Sequence, residues 1–123
     1  DTLHGATVEC GWSLRRPQAD YIALFDRMLG AGCAVRRAGS GALGLADVAA
    51  GRTEAYAELH INSWDCAAGL LLVVEAGGCV NDFFAGGGLL AGNPIVATNA
   101  ALAEPLAALA GIPLLSTPQE TQR

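Results

Sequence analysis

Residues 58–78 read ELHINSWDCAAGLLLVVEAGG, and this stretch decides the fold predicted for the chain. Its first residues continue an alternating segment that is typical of a strand, and the rest forms an apolar helix that ends at Gly77 and Gly78. Ser63 is predicted to cap the start of this helix. Asp65 lies in the first helical turn, where a carboxylate is either a device for starting the helix or a ligand for another group.

Strands and helices alternate along the rest of the chain. Strands are predicted near residues 5–11, 33–39, 53–59, 79–84 and 93–99, and helices within 18–29, 40–51, 64–76 and 100–111. The glycine-rich residues 85–93 are predicted to form a turn. Because the helices have little polar surface, we expect an α/β fold: a layered sheet with helices on both faces. Residues 1–115 are predicted to form one domain, followed by a polar tail at 116–123.

Composition and charge exclude several classes of protein. Of the 123 residues, 52% are hydrophobic and 15% are charged, which predicts a folded domain with one core. A net charge of −5 disfavours nucleic acid as a partner, because such binding relies on a basic surface. No apolar run approaches the roughly 20 residues of a bilayer span, and no leader is expected. We therefore expect a cytoplasmic protein without a membrane partner.

Cysteine and histidine give no metal-binding pattern. The four cysteines form no Cys-x-x-Cys pair and have apolar neighbours, which predicts buried free thiols. The two histidines lie far apart in the chain, and neither has a second ligand at the spacing of a zinc site. A zinc centre is therefore not predicted.

Asp65 allows two interpretations. A carboxylate in the first turn is stabilised by the helix dipole, by a few tenths to about 1 kcal/mol, without any ligand. Alternatively, a carboxylate held at one end of a rigid helix is well placed to bind Mg²⁺, which prefers oxygen ligands. Glu58 lies in the preceding strand, and the short connection brings both carboxylates to one edge of the sheet, where ligands bind in α/β folds. The residues alone leave both interpretations open.

The same stretch resembles the C-terminal signature of the inositol monophosphatase family. That signature is Trp-Asp-x-Ala-Ala-Gly followed by apolar residues and Glu-Ala-Gly-Gly. The residues in register with it are Trp64, Asp65, Ala67, Ala68, Gly69, Glu75, Ala76, Gly77 and Gly78. The similarity extends from about Val8 to Gly111. It implies the C-terminal part of a Mg²⁺-dependent phosphomonoesterase that acts on inositol phosphate or a similar small phosphorylated polyol or sugar.

The resemblance also implies roles for individual residues. Asp65 corresponds to a ligand of a catalytic metal ion, and no residue of this chain corresponds to a catalytic acid, base or nucleophile. The residues that correspond to substrate contacts are Glu58, Ser13 and a turn made of Gly39, Ser40 and Gly41. Where many members have glycine, this chain has His60, which leaves the pocket wall and the choice of substrate open; His60 is expected either in the pocket wall or on the polar surface.

The family's Asp-Pro-Ile-Asp-Gly-Thr motif and its upstream metal-binding glutamate are not found in these residues. Because a metal-assisted phosphatase needs several carboxylates, we expect the chain to be inactive alone and to require the N-terminal half of the same protein. A homodimer is left open as an assembly. Two alternatives remain: a related phosphatase acting on histidinol phosphate or a bisphosphate, and a non-catalytic binding or assembly module that uses an apolar surface as its interface.

Two further patterns bear on binding. The segment GSGALG at 39–44 invites comparison with a phosphate loop, but it has no terminal lysine, so close packing by small residues is the better interpretation. Arginines occur as the adjacent pairs 15–16 and 36–37. Adjacent residues on a strand point to opposite faces, so at most one of each pair is expected to face a ligand, and solvated charges are the usual explanation.

Overall fold

The computed structural model describes residues 3–115, which build one five-stranded mixed sheet with helices packed on its two faces. The elements, in chain order, are β1 (Thr7–Cys10), α1 (Gln18–Gly30), β2 (Ala34–Arg36), α2 (Gly41–Ala49), β3 (Ala55–Ile61), α3 (Ser63–Glu75), β4 (Cys79–Val80), a 3₁₀ turn (Ala85–Gly87), α4 (Gly88–Ala91), β5 (Asn93–Thr98) and α5 (Ala103–Ala110). The predicted tail at 116–123 lies outside the described residues. Within the described range, no helix is both long and apolar enough to cross a bilayer.

The strand order across the sheet is β2-β1-β3-β5-β4. β1 runs parallel to β2 and β3, whereas β5 runs antiparallel to β3 and β4. Glu9 in β1 is the register partner of both Arg36 in β2 and Tyr56 in β3. Because register partners lie side by side, these three side chains start from one place on the sheet.

Side chains on the two faces of the sheet form two apolar clusters. The first joins the sheet to α1 and α5 and includes Val8, Leu24, Met28, Ala57, Val96 and Leu106. The second joins it to α2 and α3 and includes Leu45, Tyr56, Leu70, Val73, Ile95 and Ala97. Ala57 and Tyr56 are adjacent in β3 and belong to different clusters, as the alternation of a strand requires. The predicted α/β architecture with helices on both faces is confirmed.

Small residues allow α2 and α3 to approach the sheet and each other closely. A Cβ at Gly69 of α3 would lie 2.6 Å from the Leu45 Cβ of α2. A Cβ at Gly44 would lie 2.5 Å from the Tyr56 Cδ1. Neither contact leaves room for a methyl group, because protein interiors are already close-packed. Within the segment 39–44, Gly41 and Gly44 therefore serve close packing, as predicted, whereas a Cβ at Gly39 would meet nothing within 4 Å.

The starts of α2 and α3 differ in how they are capped. Ser40 caps α2, since its side chain accepts a hydrogen bond from the Leu43 N at 3.2 Å. The prediction that Ser63 caps α3 is wrong: Ser63 is already within the helix, and its Oγ donates to the Leu89 carbonyl at 2.7 Å. The cap position is Asn62, which makes no side-chain capping bond. The packing of α4 beside α3 provides the acceptor that redirects the serine hydroxyl.

The segment after α3 departs from its predicted structure. Only Cys79–Val80 forms a strand in the segment predicted as strand 79–84. The predicted turn at 85–93 contains the 3₁₀ turn and α4, and it leads into β5. Gly86 and Gly87 have positive φ angles of 61° and 84°, which explains why glycine occupies the junction of these two short helices.

Candidate functional site

A cavity of about 320 Å³ opens where the carboxyl ends of β1, β2 and β3 meet the starts of α2 and α3. The residues predicted as ligand contacts all line it: Ser13, Gly39, Ser40, Gly41, Glu58 and Asp65. Its other lining residues are Glu9, Gly11, Trp12, Arg15, Arg37, Ala42, Tyr56 and Ile61. The volume falls in the range of about 300–1,000 Å³ that is typical of small-molecule pockets. The tertiary structure thus brings together residues that are spread over more than fifty positions of the chain.

Glu58 and Tyr56 form the buried floor of the cavity. The two side chains are neighbours on one face of β3, and the Tyr56 hydroxyl donates a hydrogen bond of 2.6 Å to Glu58 Oε1. Glu58 is only 6% exposed. Gly11 lies directly above the pair, and a Cβ at this position would collide with both Glu58 Oε1 and the Tyr56 hydroxyl. A glycine after β1 is therefore required for this arrangement.

Burial raises the pKa of the Glu58 carboxyl, and the negative charge of Asp65 raises it further. The hydrogen bond from Tyr56 and the positive charges of Arg15 and Arg37 act in the opposite direction, and burial prevails. The carboxyl therefore has a stronger tendency to hold a proton than an exposed glutamate has. Such a group accepts or donates hydrogen bonds to a ligand hydroxyl according to its protonation state.

The raised pKa of Glu58 predicts how stability depends on pH. Between the pKa of Glu58 in the unfolded chain and its higher pKa in the folded protein, the folded state binds more protons. The free energy of unfolding contributed by Glu58 therefore falls as pH rises through this window. In Glu58→Gln this loss is absent. Urea denaturation should show the variant gaining stability relative to wild type as pH rises above about 4, the ordinary pKa of an unfolded glutamate.

Glu75→Gln is the matched control, since Glu75 is an exposed carboxylate of α3 outside the cavity. Its stability difference from wild type should change less across the same pH series. A difference between Glu58→Gln and wild type that stays constant with pH would contradict the raised pKa.

Glu9 is a second buried carboxylate in the cavity, and the sequence did not reveal it. It accepts hydrogen bonds from Arg36 Nε at 3.2 Å and from the Ala38 N at 3.2 Å. These bonds tie the end of β2 to β1 and hold the backbone that leads into Gly39. Polar and apolar residues alternate along Thr7–Cys10, a pattern that predicts a solvent-facing Glu9, but Glu9 is only 1% exposed.

Asp65 is exposed on the first turn of α3, at the edge of the cavity. No side chain or backbone group within residues 3–115 makes a hydrogen bond or ion pair with its carboxylate. The same part of the chain contains no group of three or more His, Cys, Asp or Glu residues that could hold a metal ion. Because Mg²⁺ requires several oxygen ligands, the described residues do not by themselves form a magnesium site.

One arginine of each adjacent pair lines the cavity. Arg15 and Arg37 lie in its wall. Their neighbours are engaged elsewhere: Arg16 bonds the Leu59 carbonyl at 3.1 Å and Asp20 at 3.0 Å, and Arg36 bonds Glu9. The prediction that at most one of each pair faces a ligand site agrees with this arrangement. Arg15 and Arg37 are both exposed, so the interpretation of these two as solvated charges also agrees with the structure.

His60 is not among the residues that line the cavity, so of its two predicted roles, pocket wall or polar surface, the structure does not support the pocket wall. Its Nε2 lies 2.9 Å from the Ala91 carbonyl oxygen. The pairing of β3 with β5 shifts register between Glu58 and Ile61. Such an irregularity changes which side chains face which side of the sheet. As a result Ile61, and not His60, joins the cavity lining.

The cysteine thiols near the cavity are unreactive. Burial raises the pKa of Cys66 to about 12, and the charges of Asp65 and Glu58 add to the effect. Burial, with the neighbouring Cys33 and Glu9, likewise raises the pKa of Cys10 to about 12. Both thiols are therefore protonated at neutral pH, and neither serves as a nucleophile.

The sequence of the chain is similar to those of known proteins of one family. The model of the inositol monophosphatase family matches residues 5–112. A protein named Nus factor SuhB from Pseudomonas aeruginosa is 43% identical over 102 residues, which cover 80% of this chain and 38% of that protein. Nus factor SuhB from Escherichia coli is 41% identical over 102 residues, covering 76% of this chain and 38% of the relative. The chain thus spans well under half the length of these relatives.

Solved structures with the same fold lead to the same family. The crystal structure of the extragenic suppressor protein SuhB from Bartonella henselae has a TM-score of 0.77 at 32% identity, covering 89% of this chain and 42% of that one. An inositol monophosphatase from Anabaena has a TM-score of 0.75 at 33% identity, covering 91% and 46%. On the match to the family model and these relatives, the chain belongs to the inositol monophosphatase family.

Proposed function

We propose that this chain forms one side of the active site of a Mg²⁺-dependent phosphomonoesterase that acts on inositol phosphate or a similar phosphorylated polyol or sugar. The observation that carries the proposal is the convergence of Asp65, Glu58 and the turn at 39–41 on a single cavity. Membership of the inositol monophosphatase family supports a phosphatase. The cavity also lies at the carboxyl ends of parallel strands, where ligands bind in α/β folds.

The polar groups of the cavity suit both the hydroxyl groups and the phosphate of such a substrate. Among the described contacts of Glu58, the Tyr56 hydroxyl bonds Oε1, which leaves Oε2 available for a substrate hydroxyl. The first turns of α2 and α3 border the same cavity, and the backbone amides and dipoles of helix starts favour an anion. In the proposal, Glu58 binds a hydroxyl of the polyol, and Ser13 and the turn at 39–41 line the pocket around it.

Asp65 is proposed as one ligand of the magnesium ion. When bound, Mg²⁺ neutralises a phosphate and activates water for hydrolysis. The remaining ligands have to come from outside residues 3–115, because this part of the chain holds no complete ligand group. The proposed source is the N-terminal half that the longer relatives contain, and the chain is accordingly proposed to be inactive alone.

The outer surface of α3 and α4 is suited to binding a protein partner. Large apolar side chains exposed there are Trp64, Leu71, Leu72, Val74, Leu89 and Leu90, and we call this set the α3–α4 apolar face. Trp64 is 74% exposed and Leu90 is 87% exposed. A concentration of exposed apolar side chains marks an interaction site in a folded protein. We assign this face to the N-terminal half of the enzyme; a second copy of the chain would give a homodimer instead.

Hydrolysis of inositol 1-phosphate tests the proposal. The chain is assayed with Mg²⁺ alone and after addition of a polypeptide corresponding to the N-terminal half of a SuhB relative. We expect no turnover by the chain alone and turnover by the mixture. Asp65→Asn should lower kcat of the mixture by about 100-fold, because a metal ligand is lost. Asp26→Asn, which changes an exposed aspartate of α1, is the matched control and should leave kcat unchanged.

Three outcomes would contradict parts of this proposal. Turnover by the chain alone would show that its own residues complete the metal site. Equal kcat values for Asp65→Asn and the control would show that Asp65 is not a ligand of the magnesium ion. Formation of a stable complex without any turnover would favour the second candidate function, a non-catalytic assembly module. Two observations support this candidate: the α3–α4 apolar face and the name Nus factor that the relatives carry.

A further inference from the structure

The residues that join β2 to α2, 37–40, belong to no helix or strand, although they lead into the turn at 39–41 that lines the cavity. Gly39 has a positive φ of 85°, and a Cβ there would meet nothing within 4 Å. Close packing around Gly39 therefore does not fix this backbone. At the α2 end, the Ser40 side chain accepts a hydrogen bond from the Leu43 N. The other end needs an anchor of its own.

Glu9 of β1 provides this anchor with both of its carboxylate oxygens. Its Oε2 accepts a hydrogen bond from the Ala38 N at 3.2 Å, and its Oε1 accepts one from Arg36 Nε at 3.2 Å. Arg36 also pairs with Asp47 of α2 at 2.8 Å. The Glu9 carboxylate thus joins β1, the end of β2 and the backbone that enters the turn, and Arg36 extends these contacts to α2.

The buried position of Glu9 requires these two donors. Glu9 is only 1% exposed, and a Cβ added at Gly44 of α2 would lie 3.2 Å from its Oε2. A buried carboxylate is costly unless it is paired and hydrogen-bonded. A carboxylate presents an acceptor at each oxygen, whereas a glutamine amide presents an acceptor at one position and a donor at the other. Only an acid at this position can accept from both Ala38 and Arg36.

We propose that Glu9 is a positioning residue of the active site: it fixes the turn at 39–41 in the wall of the cavity and thereby sets the affinity for the phosphorylated polyol. Glu9 acts through the Ala38 N and Arg36, because these two groups occupy its oxygens. The inference rests on the proposed function, in which this turn lines the pocket around the substrate. It adds a residue that controls substrate affinity to the residues that contact the substrate.

Amide hydrogen exchange followed by NMR tests the positioning without any substrate. The glutamine of Glu9→Gln cannot accept from both Ala38 and Arg36. We expect exchange of the Ala38 amide to accelerate about tenfold relative to the buried amide of Val96, because a hydrogen bond to a charged group is weakened. The amide chemical shifts of Gly39 and Gly41 should change as well. Taking the ratio to Val96 removes the effect of any loss of global stability.

Kinetics of the mixture with the N-terminal half test the consequence for the substrate. Glu9→Gln should raise KM for inositol 1-phosphate about tenfold and leave kcat within about twofold of wild type, since the turn contributes to binding and not to the chemical step. Arg36→Lys keeps a cation beside Glu9 and leaves the bond from the Ala38 N in place. It should therefore change both KM and the exchange of Ala38 by less than Glu9→Gln does.

Glu54→Gln is the matched control. Glu54 Oε1 accepts a hydrogen bond from the Thr7 N at 2.6 Å, at the start of β1, and Glu54 lies outside the cavity lining. Both substitutions thus neutralise a carboxylate that binds a backbone N–H. Glu54→Gln should leave KM unchanged, and it should leave the exchange of Ala38 relative to Val96 unchanged.

The results separate this inference from the proposed function. Unchanged relative exchange of Ala38 in Glu9→Gln would overturn the inference, whether or not the mixture hydrolyses the substrate. So would an unchanged KM in a mixture that turns over, or equal effects of Glu9→Gln and Glu54→Gln. If the wild-type mixture gives no turnover while Ala38 exchanges as expected, the proposed function is contradicted and the part of the inference that concerns the turn is supported.

Discussion

Replacing Tyr56 with alanine is expected to lower the free energy of unfolding by about 3–5 kcal/mol, the usual cost of removing a large buried aromatic side chain. Tyr56 is only 1% exposed and belongs to the cluster between the sheet and the helices α2 and α3. Its ring fills the space beside Gly44, where not even a methyl group fits. The substitution leaves a cavity under the site and a buried Glu58 without its hydrogen-bond donor. Urea denaturation followed by circular dichroism measures the change.

Tyr56→Phe is the matched control, because it keeps the ring and removes only the hydroxyl. It should cost about 1–3 kcal/mol, the penalty for leaving a buried polar group without its partner. The pKa of Glu58 should rise further in this variant, since the hydrogen bond from Tyr56 lowers it in the wild type. Equal losses of unfolding free energy in Tyr56→Phe and Tyr56→Ala would mean that the whole effect comes from the hydroxyl, and would contradict the role of the ring in packing.

Gly11→Ala is expected to cost about 1–3 kcal/mol and to disturb the site itself. The added methyl group would occupy the positions of Glu58 Oε1 and the Tyr56 hydroxyl, so one of the two side chains must move. Gly11 is also held in place, because its N donates to the Ala57 carbonyl oxygen at 2.9 Å. We therefore expect weaker binding of a sugar phosphate together with the loss of stability. Urea denaturation and titration calorimetry with inositol 1-phosphate measure the two effects.

Gly30→Ala is the matched control for this substitution. Gly30 ends α1, and a Cβ there would meet nothing within 4 Å. Alanine favours a helix over glycine, so the control should keep or slightly raise the stability. If Gly11→Ala is as stable as this control and binds the sugar phosphate normally, the close approach of Gly11 to Glu58 and Tyr56 does not constrain the site.

Most of the fold could be predicted because its elements carry local patterns. α1 shows apolar residues at helical spacing, and α2 begins at a serine that caps it, as its sequence indicates. Predictions failed where a side chain forms a hydrogen bond with a segment distant in sequence instead of with its own helix. Ser63 does not cap α3, because the Leu89 carbonyl, 26 residues away, accepts its hydroxyl. The short helix α4 was missed because three consecutive glycines at 86–88, the last of which is its first residue, indicate a turn when only local propensity is considered.

The sequence by itself determined the family, because its motifs are local, and it determined the order of the elements apart from α4. The resemblance to that family then implied Asp65, Glu58, Ser13 and the turn at 39–41 as candidates for one site. Tertiary structure alone decided that Glu9, Tyr56 and Gly11 meet Glu58, that Arg15 and Arg37 face the cavity, and that Ile61 replaces His60 in its wall. The physical reason is that these facts depend on strand register, on an irregularity in the β3–β5 pairing and on contacts between segments distant in sequence. Strand register and side-chain packing determine which of these residues meet, and the spacing of residues along the chain does not predict it.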